Sequence, residues 1–543
     1  MSQSRYHIID AYHEATKHHF HRYARSPGYM DWANQPAAFR HYENTDQIEL
    51  PFCDREPDAA FDDLFCAAKQ PGRQIRLDAI AAFLEFSLAL SAWKQGGGSR
   101  WPLRVNPSSG NLHPTECYLL VPDVPGLAAG IYHYNPLVHV LERRAALDDI
   151  AWRPLCAHFG GTGFLVALST VFWRESWKYG ERAFRYCQLD TGHALAALMF
   201  AARLSRWHLT LLGAVADDDI ERLLGFDRTQ WYPNEDEVAE LICWVSAQPI
   251  DDSAASDLDP QQLGKLADTT FFGDPNPLSP KAMAWPIINQ AASASEKGPT
   301  LEKEQLPGNH RLVFSESELT AASVIRKRRS AVRFDPNRTI DARTLQNILG
   351  RTIACRHTPP FNGVPELQQV EAVVLVHRVR DLAPGIYLLK RQKGAIENLQ
   401  AAWHADFLWR RVAGGLPLWQ LTEGDVADQA ATLSCHQDIA GHSAFAVAMI
   451  APYEHLLRQG PHRYRRLHWE CGMLGQVLYL AAEAHGLRGT GIGCFFDDEV
   501  HRLLGIRDRS YQVLYHFTVG HAIEDNRLST LPAYHHIDVS RRR

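Results

Sequence analysis

The sequence predicts an α+β protein in which one domain occurs twice in tandem. Residues 190–226 can be laid without gaps over residues 470–506, at a constant offset of 280 positions. Each copy shows the same order of a long apolar helix, a glycine-containing turn, an amphipathic helix and a closing strand. Between the copies, residues 290–310 contain almost no large apolar side chain, which is typical of a linker. We therefore expect two similar domains that arose by duplication.

The matched positions of the two copies occur in one order and at one spacing. They are Gly192, Ala201-Ala202, Gly213, Asp217-Asp218 and Arg222–Gly225 in the first copy, and Gly472, Ala481-Ala482, Gly493, Asp497-Asp498 and Arg502–Gly505 in the second. The sequence Gly-Ile-Tyr also recurs upstream in each copy. This repeat predicts an N-terminal extension at 1–70, a first domain at 71–250, a linker at 251–319 and a second domain at 320–530.

The composition restricts the classes of protein to which this chain can belong. A chain of 543 residues with 45% hydrophobic and 22% charged residues has the composition of packed domains, and it is longer than one hydrophobic core usually supports. A formal net charge of -6 gives no basic face for nucleic acid or a membrane surface. No signal peptide or spanning helix is evident, so we expect a cytoplasmic protein. The ten cysteines include no CxxC pair, and His13-Glu14 lacks a second histidine, so we expect no metal site.

Two stretches of the second copy carry groups suited to a ligand. Residues 324–335 place four arginines around Ser330, and guanidinium groups with a hydroxyl suit a phosphate monoester. A solvated basic surface accounts for the same cluster. The glycines of residues 491–496 let the backbone approach a flat ligand, although a turn that ends a helix has a similar composition. The corresponding Leu211–Ala216 of the first copy lacks one glycine and both aromatic residues.

Two further stretches belong to the first copy. Residues 107–111, Pro-Ser-Ser-Gly-Asn, form either a plain β-turn or a turn whose hydroxyl and amide groups bind a polar ligand. The adjacent Lys178 and Tyr179 are a proton-transfer pair if burial or neighbouring cations lower their pKa values, and otherwise an ordinary surface pair. In the second copy, residues 358–363 contain no serine and residues 459–464 contain no Lys-Tyr pair.

Taken together, these motifs resemble the FMN-dependent nitroreductase superfamily. The resemblance rests on the order of PSSGNLHPTECYLL, GIYHY, WKYGERAFRYCQLDTGH, RKRRSAVRFD and GIGCFFDDEVHRLLGI, and it covers roughly residues 70–250 and 320–525. More narrowly, the motifs resemble the azoline dehydrogenase branch, which oxidises thiazolines and oxazolines in ribosomally made peptides to azoles. The resemblance implies an FMN cofactor and two tandem nitroreductase-like domains that form a pseudo-dimer within one chain.

The resemblance also divides the site residues between the two domains. The second domain is expected to supply a phosphate clamp and a glycine turn, namely Arg328, Arg329, Ser330, Arg333, Gly491, Ile492, Gly493 and Cys494. The first domain is expected to supply Pro107, Ser108, Ser109 and Asn111. By the same resemblance Lys178 and Tyr179 are catalytic, one of them removing a ring proton while a hydride passes to the flavin, which oxygen then reoxidises. No arginine-rich clamp precedes the first domain, so a second FMN site is expected to be degenerate.

Three functions are open at this point. The first is an FMN-dependent dehydrogenase of a small-molecule or modified-peptide substrate, with a cyclodehydratase or another pathway enzyme as partner. The second is an NAD(P)H-dependent reductase of nitro compounds or quinones, which predicts rapid anaerobic bleaching of the flavin by NADPH or NADH. The third is a catalytically inactive scaffold subunit of a peptide-modifying complex, which predicts no bound flavin.

Overall fold

The computed structural model describes residues 2–66, 71–251, 254–255, 257–300, 317–355, 359–364, 368–392, 394 and 396–537. The helices of this part are α1 (Ser2–Ala15), α2 (Leu77–Glu85), α3 (Arg153–His158), α4 (Phe172–Tyr179), α5 (Ala183–Leu204), α6 (Asp217–Leu224), α7 (Pro260–Ala267), α8 (Pro286–Ala294), α9 (Ala321–Lys327), α10 (Ala342–Gly350), α11 (Glu397–Ala402), α12 (Ala427–Leu433), α13 (Asp438–His442), α14 (Glu454–Gln459), α15 (Arg463–Ala484) and α16 (Asp497–Leu504). Residues 301–316 of the predicted linker, and Thr358 of the segment compared with the Pro-Ser-Ser turn, lie outside the described residues.

The strands of the same residues are β1 (Tyr42–Glu43), β2 (Gln47–Glu49), β3 (Leu90–Gly96), β4 (Ser99–Arg104), β5 (Thr115–Val121), β6 (Gly130–Asn135), β7 (Val140–Ala146), β8 (Gly163–Thr170), β9 (His208–Leu211), β10 (Val238–Ser246), β11 (Asp274–Pro275), β12 (Ile340–Asp341), β13 (Glu371–Val376), β14 (Val379–Arg380), β15 (Gly385–Leu389), β16 (Arg410–Arg411), β17 (Leu418–Gln420), β18 (Phe445–Pro452), β19 (Arg488–Ile492), β20 (Tyr511–Gly520) and β21 (Ser529–Leu531). Two seven-stranded sheets dominate, with the orders β2-β7-β6-β5-β8-β10-β9 and β16-β17-β15-β13-β18-β20-β19. The predicted α+β class with two similar domains is confirmed.

The central strands β5, β8 and β13 are buried along their whole length because both faces of each sheet are covered. In β8, Val166 and Leu168 belong to the large core that runs through both domains, whereas Leu165 and Ala167 belong to a separate core on the other face. Strands of this kind read as continuous apolar runs rather than as alternating patterns. Each sheet ends in a short edge strand, β9 in the first domain and β19 in the second. Each of these strands leads into the turn that the sequence repeat matches, at residues 211–216 or 491–496.

The long helices α5 and α15 cross at the middle of the molecule. Gly192 and Gly472, which the repeat matches to each other, lie at this crossing. A Cβ on Gly472 would come within 2.1 Å of the Leu189 carbonyl oxygen, and one on Gly192 within 2.2 Å of the Trp469 carbonyl oxygen. The two helix backbones therefore touch directly, which only glycine allows. The predicted pseudo-dimer within one chain is confirmed by this shared interface.

A buried ion pair crosses the interface on each side of this contact. Arg185 of α5 binds Asp497 of the second domain, with 2.8 Å between Nη1 and Oδ1. At the same offset of 280 positions, Arg465 of α15 binds Asp217 of the first domain. All four side chains are buried. Asp217 and Asp497, which the sequence repeat matches to each other, thus each bind an arginine of the other domain.

Segments from outside the two sheets complete the assembly. Within the predicted N-terminal extension, α1 packs against α8 and α14, and its Asp10 and Glu14 bind Arg509. The predicted linker contributes α7, α8 and β11, and β11 pairs with β1. Near the C-terminal end, β21 pairs antiparallel with β3, so the sheet β21-β3-β4 combines both halves of the chain. Among the described residues, no helix has both the length and the apolar character that a membrane crossing requires.

Candidate active site

A cavity of about 640 Å³ lies between the two domains, and residues of both domains line it. Of the predicted site residues, the lining contains Pro107, Ser108, Ser109, Asn111, Tyr179, Arg328, Arg329, Ser330, Gly491, Ile492, Gly493 and Cys494. Two predicted residues are not part of the lining: Arg333, whose side chain is exposed, and Lys178, whose Nζ lies close to Gly110 of the turn. The fold therefore brings together residues of the first domain and residues of the second domain that are at least 149 positions apart in sequence.

The turn at residues 107–111 is held in place by its own domain. Both carboxylate oxygens of Asp190 accept from the Ser109 N–H at 3.1 Å, and Oδ1 also accepts from the Ser109 hydroxyl at 3.1 Å. The His113 N–H donates to the Ser108 Oγ over 2.8 Å. Burial raises the pKa of Asp190 to about 7, although the hydrogen bonds from both serines oppose this shift. The serine hydroxyls thus fix the shape of the turn that faces the cavity.

Lys178 and Tyr179, at the end of α4, approach this turn at Gly110. A Cβ added to Gly110 would lie 2.7 Å from the Tyr179 Oη and 3.2 Å from the Lys178 Nζ, so the absence of a side chain makes room for both groups. Gly110 also has a φ of 59°, in the left-handed region that favours glycine. Burial, followed by the charge of Glu175, raises the pKa of Tyr179 well above its usual value. This direction favours the protonated phenol, which can donate a hydrogen bond.

The predicted phosphate clamp also joins the two domains. Arg328 is buried, and its Nε and Nη2 donate to the carbonyl oxygens of Val105 and Arg104 over 3.1 and 3.2 Å. Arg329 donates from Nη2 to the Ser91 carbonyl oxygen over 3.1 Å. Burial lowers the pKa of Arg329 to about 10, which leaves the side chain charged at neutral pH. These arginines therefore hold the second domain against β3 and β4 of the first domain.

Tyr479, on α15, connects the clamp to the glycine turn. Its Oη lies 2.9 Å from the Ser330 Oγ and accepts from the Gly491 N–H over 2.9 Å. The Arg328 guanidinium lies over the tyrosine ring, 5.1 Å from the centroid. Tyr479 was not predicted as a site residue, because a tyrosine in a long buried helix looks like a core residue. A signal was nevertheless present, since the repeat places Met199, which has no hydroxyl, at the equivalent position of the first copy.

Close contacts with other residues, and not only the end of a helix, require glycine at positions 491 and 493. A Cβ on Gly491 would lie 1.8 Å from the Tyr515 Oη, and one on Gly493 would lie 2.1 Å from the Tyr186 Cε1. Arg182 of the first domain donates from Nε and Nη2 to the Gly493 carbonyl oxygen over 3.2 and 3.1 Å. The turn is therefore fixed against tyrosines and presents its bare backbone to the cavity.

Gly491→Ala is expected to lower the free energy of unfolding by about 1–3 kcal/mol, because the added methyl group overpacks the contact with Tyr515. Displacement of Tyr515 also narrows the cavity that it lines. Thermal unfolding of the purified protein measures the change. Gly161→Ala is the matched control, since a Cβ at Gly161 meets no atom within 4 Å. Equal loss of stability in both variants would contradict the assignment of Gly491 to a close contact.

The cavity is cationic. Lys94, Arg104, Arg328 and Arg329 line it, and Asp190 is the acidic residue in the lining. Burial lowers the pKa of Arg104 to about 10, so this side chain also stays charged at neutral pH. An excess of positive charge with arginine donors suits an anionic group such as a phosphate. The sequence analysis missed the two basic residues of β3 and β4, since they lie in strands without a recognisable motif.

At the equivalent place between the domains, on the other side of the pseudo-dimer, the described residues 359–364 of the second domain pack against β9. Gly363 lies directly on the edge of β9, and its carbonyl oxygen accepts from the Leu211 N–H over 2.7 Å. A Cβ on Gly363 would lie 1.9 Å from the Leu209 carbonyl oxygen. The neighbouring Phe361 is buried, and the space left beside this segment is about 30 Å³. A loop of the second domain therefore fills the volume that corresponds to the large cavity.

Comparison with known proteins agrees with this architecture. The sequence profile of the nitroreductase family matches residues 57–234 and 325–521, which together exceed half of the chain. A crystal structure from Anabaena variabilis, titled as a nitroreductase, has a TM-score of 0.67 at 22% identity and covers 95% of this chain and 99% of that chain. This similarity establishes a shared fold that extends over both domains.

Two relatives are similar over shorter segments. A protein of Methanocaldococcus jannaschii, named as a nitroreductase, is 28% identical over 123 residues, or 22% of this chain and 62% of that protein. The trifolitoxin-processing protein TfxB of Rhizobium leguminosarum is 28% identical over 167 residues, or 28% of this chain and 44% of that protein. The match thus spans less than two thirds of either relative. The two profile matches, one in each half, show that the chain belongs to the nitroreductase family.

Proposed function

We propose that this protein is an FMN-dependent dehydrogenase that oxidises an azoline of a peptide-derived substrate to an azole. The observation that carries this proposal is a single cavity with complementary contributions from two domains. Residues 107–111 and the Lys178-Tyr179 pair come from the first domain, and the 328–330 cluster and the 491–494 turn come from the second. Neither domain contains both sets, so a complete site requires the fused pair.

The cavity suits FMN in size, charge and surface. Its volume of about 640 Å³ falls within the roughly 300–1,000 Å³ usual for ligand sites. Arg328, Arg329 and Ser330 would hold the phosphate, and the glycine turn lets a flat ring approach the backbone. The side-chain oxygen of Asn106, which lines the cavity, is buried without a hydrogen-bond partner among the described residues. A polar ligand would supply that partner, which buried polar atoms ordinarily have.

The Lys-Tyr pair would supply the proton chemistry of the reaction. FMN, when bound, supplies a two-electron acceptor for the dehydrogenation. The raised pKa of Tyr179 favours its hydroxyl as a hydrogen-bond donor, so our proposal gives the removal of the ring proton to the neighbouring Lys178. The Tyr179 hydroxyl is then free to donate a hydrogen bond that positions the azoline. Gly110 keeps both polar groups at one edge of the turn, which directs them to the same substrate.

Two considerations support a peptide-derived substrate. TfxB, one of the relatives, is named for the processing of trifolitoxin. The motifs around residues 107–121 and 177–193 also resemble those of azoline dehydrogenases. An azoline substrate implies a preceding cyclodehydration of a cysteine, serine or threonine in the peptide. We therefore propose a cyclodehydratase, or another enzyme of the same pathway, as the functional partner.

The test is the visible absorption spectrum of the purified protein, with released flavin counted per chain. We expect about one FMN per chain, because the second interdomain space is filled by the segment around Gly363. Two FMN per chain would contradict the degenerate second site. No flavin, even after FMN is added back, would favour an inactive scaffold subunit.

A second measurement separates dehydrogenation from nitro or quinone reduction. The FMN-loaded protein is mixed anaerobically with NADPH or NADH, and the flavin absorbance is followed with time. Slow or absent bleaching is expected for an azoline dehydrogenase. Rapid bleaching would favour a reductase that draws its electrons from a nicotinamide cofactor.

A further inference from the structure

Two cysteine side chains face each other in the wall of the cavity. Cys435 follows α12, and Cys494 ends the glycine turn of the second domain. Their Sγ atoms are 2.6 Å apart, and both residues are partly buried free thiols that line the cavity. Two sulfur atoms at this distance need to move by only about half an ångström to reach the bond length of a disulfide. The proposed flavin site uses the backbone around Cys494, so neither thiol has a role in it.

The backbone holds the two thiols against each other. The Phe496 N–H donates to the Leu433 carbonyl oxygen over 2.9 Å, and the Gln437 side-chain amide donates to the Cys494 carbonyl oxygen over 3.2 Å. Cys435 has a φ of 56° and the residue after it a φ of 57°, both in the left-handed region that side chains other than glycine rarely adopt. Such strain persists where the surroundings fix it, and it is concentrated at functional sites.

The two thiols differ in acidity. The hydrogen bond between the two thiols lowers the pKa of Cys494 despite burial, and the Arg182 guanidinium acts in the same direction. The same hydrogen bond, with burial, raises the pKa of Cys435. Since the thiolate is the nucleophile in thiol–disulfide exchange, Cys494 is suited to attack and Cys435 to resolve the product. A metal site fits less well, because the described residues contain no group of three or more His, Cys, Asp or Glu side chains that could hold an ion.

We propose that Cys435 and Cys494 form a redox-active dithiol that exchanges two electrons with small disulfides entering the cavity. The Cys494 thiolate attacks one sulfur of the small disulfide, which forms a mixed disulfide and releases one small thiolate. Cys435 then passes its proton to the released small thiolate and attacks the Cys494 Sγ, which closes the protein disulfide and releases the second small thiolate, which solvent protonates. The protein thiols lose two electrons, and the small disulfide becomes two thiols. A dithiol reductant reverses the sequence.

The test is oxidation of the fully reduced protein by glutathione disulfide, followed by alkylation and peptide mass mapping. We expect a linkage between the peptides that contain Cys435 and Cys494, with a loss of two hydrogen atoms, and full reversal by dithiothreitol. The experiment is performed on protein freed of flavin and on protein loaded with FMN. The linkage is expected in both, so its outcome does not depend on whether the proposed flavin chemistry is correct.

Two variants test the order of the steps. Cys435→Ser is expected to stop at a mixed disulfide between Cys494 and one glutathione, because the resolving thiol is missing. Cys156→Ser removes a thiol outside the cavity, and this control is expected to form the normal linkage. Wild-type protein in which both cysteines are alkylated after oxidation would overturn the proposal, and so would separate glutathione adducts on the two cysteines. The wild-type result decides the question even if a variant fails to fold.

Discussion

Lys178→Met is expected to lower the rate of azoline oxidation by about 10²–10⁴-fold while FMN remains bound, and Tyr179→Phe is expected to act in the same direction. The range is that usual for a positioned general acid or base. Methionine keeps the length of the lysine side chain but cannot accept a proton, and phenylalanine keeps the ring but loses the hydrogen-bond donor. The measurement is the rate at which an azoline peptide loses two hydrogen atoms by mass spectrometry, with flavin counted in each variant.

The chain provides a matched control for this experiment. Arg458 lies 280 positions after Lys178, at the same place near the end of α14, and it makes an exposed ion pair with Glu454. Arg458→Met is therefore expected to leave azoline oxidation unchanged. Full activity of both Lys178→Met and Tyr179→Phe, with normal flavin content, would refute the assignment of this pair to catalysis.

Asp497→Ala is expected to lower the free energy of unfolding by about 3–5 kcal/mol, the usual cost of removing one partner of a buried ion pair. Asp497 is fully buried and accepts from Arg182 and Arg185 of the first domain at 3.1 and 2.8 Å. Its Oδ2 also accepts from the His18 N–H over 3.1 Å. The substitution would leave two buried guanidinium groups without their counter-charge at the domain interface. Urea denaturation at neutral pH measures the loss.

The pH dependence of stability provides an independent check on this ion pair. Burial alone raises the pKa of the Asp497 carboxyl, but Arg182 and Arg185 outweigh burial and hold the pKa below its usual range. The stabilisation is therefore complete above the unfolded-state pKa of about 3.9 and is lost as the pH falls below that value. We expect the difference between wild type and Asp497→Ala to shrink in acid. Asp227→Ala removes an exposed partner of Arg228 and should leave the unfolding midpoint unchanged; an equal effect of both variants would contradict the prediction.

The ion pair of Asp497 also shows what the sequence repeat could predict and what it could not. The repeat matched Asp217 with Asp497 and Gly192 with Gly472 before any contact was known. Only the structure shows why these positions recur, since the glycines let α5 and α15 touch and the aspartates reach across to the other domain. A match between the two copies shows that the two positions are under the same structural constraint. It does not show which residue each position contacts, because these contacts depend on packing between distant segments.

The candidate site shows the same division. Local motifs indicated the Pro-Ser-Ser turn, the arginine cluster and the glycine turn, since each depends on a short run of residues. Tyr479, Arg104 and Lys94 belong to no local motif, because a polar residue in a helix or strand becomes part of a site only when the fold places it beside one. The error for Arg333 was in the opposite direction. The motif predicted a site residue, but the Arg333 side chain is exposed, whereas its neighbours in the cluster line the cavity.

The sequence by itself determined the α+β class, the duplication and the chemical types of the groups in each half, because these follow from periodicity, composition and local spacing. The resemblance implied that the groups of the two halves form one site, but only the tertiary structure showed which of them line the cavity and that Gly363 packs on β9 at the other interdomain place. The tertiary structure also decided which of the polar groups are already bonded to the protein and which face the cavity. Contacts between segments hundreds of residues apart depend on how the two sheets and the crossing helices pack, and no local pattern encodes that packing.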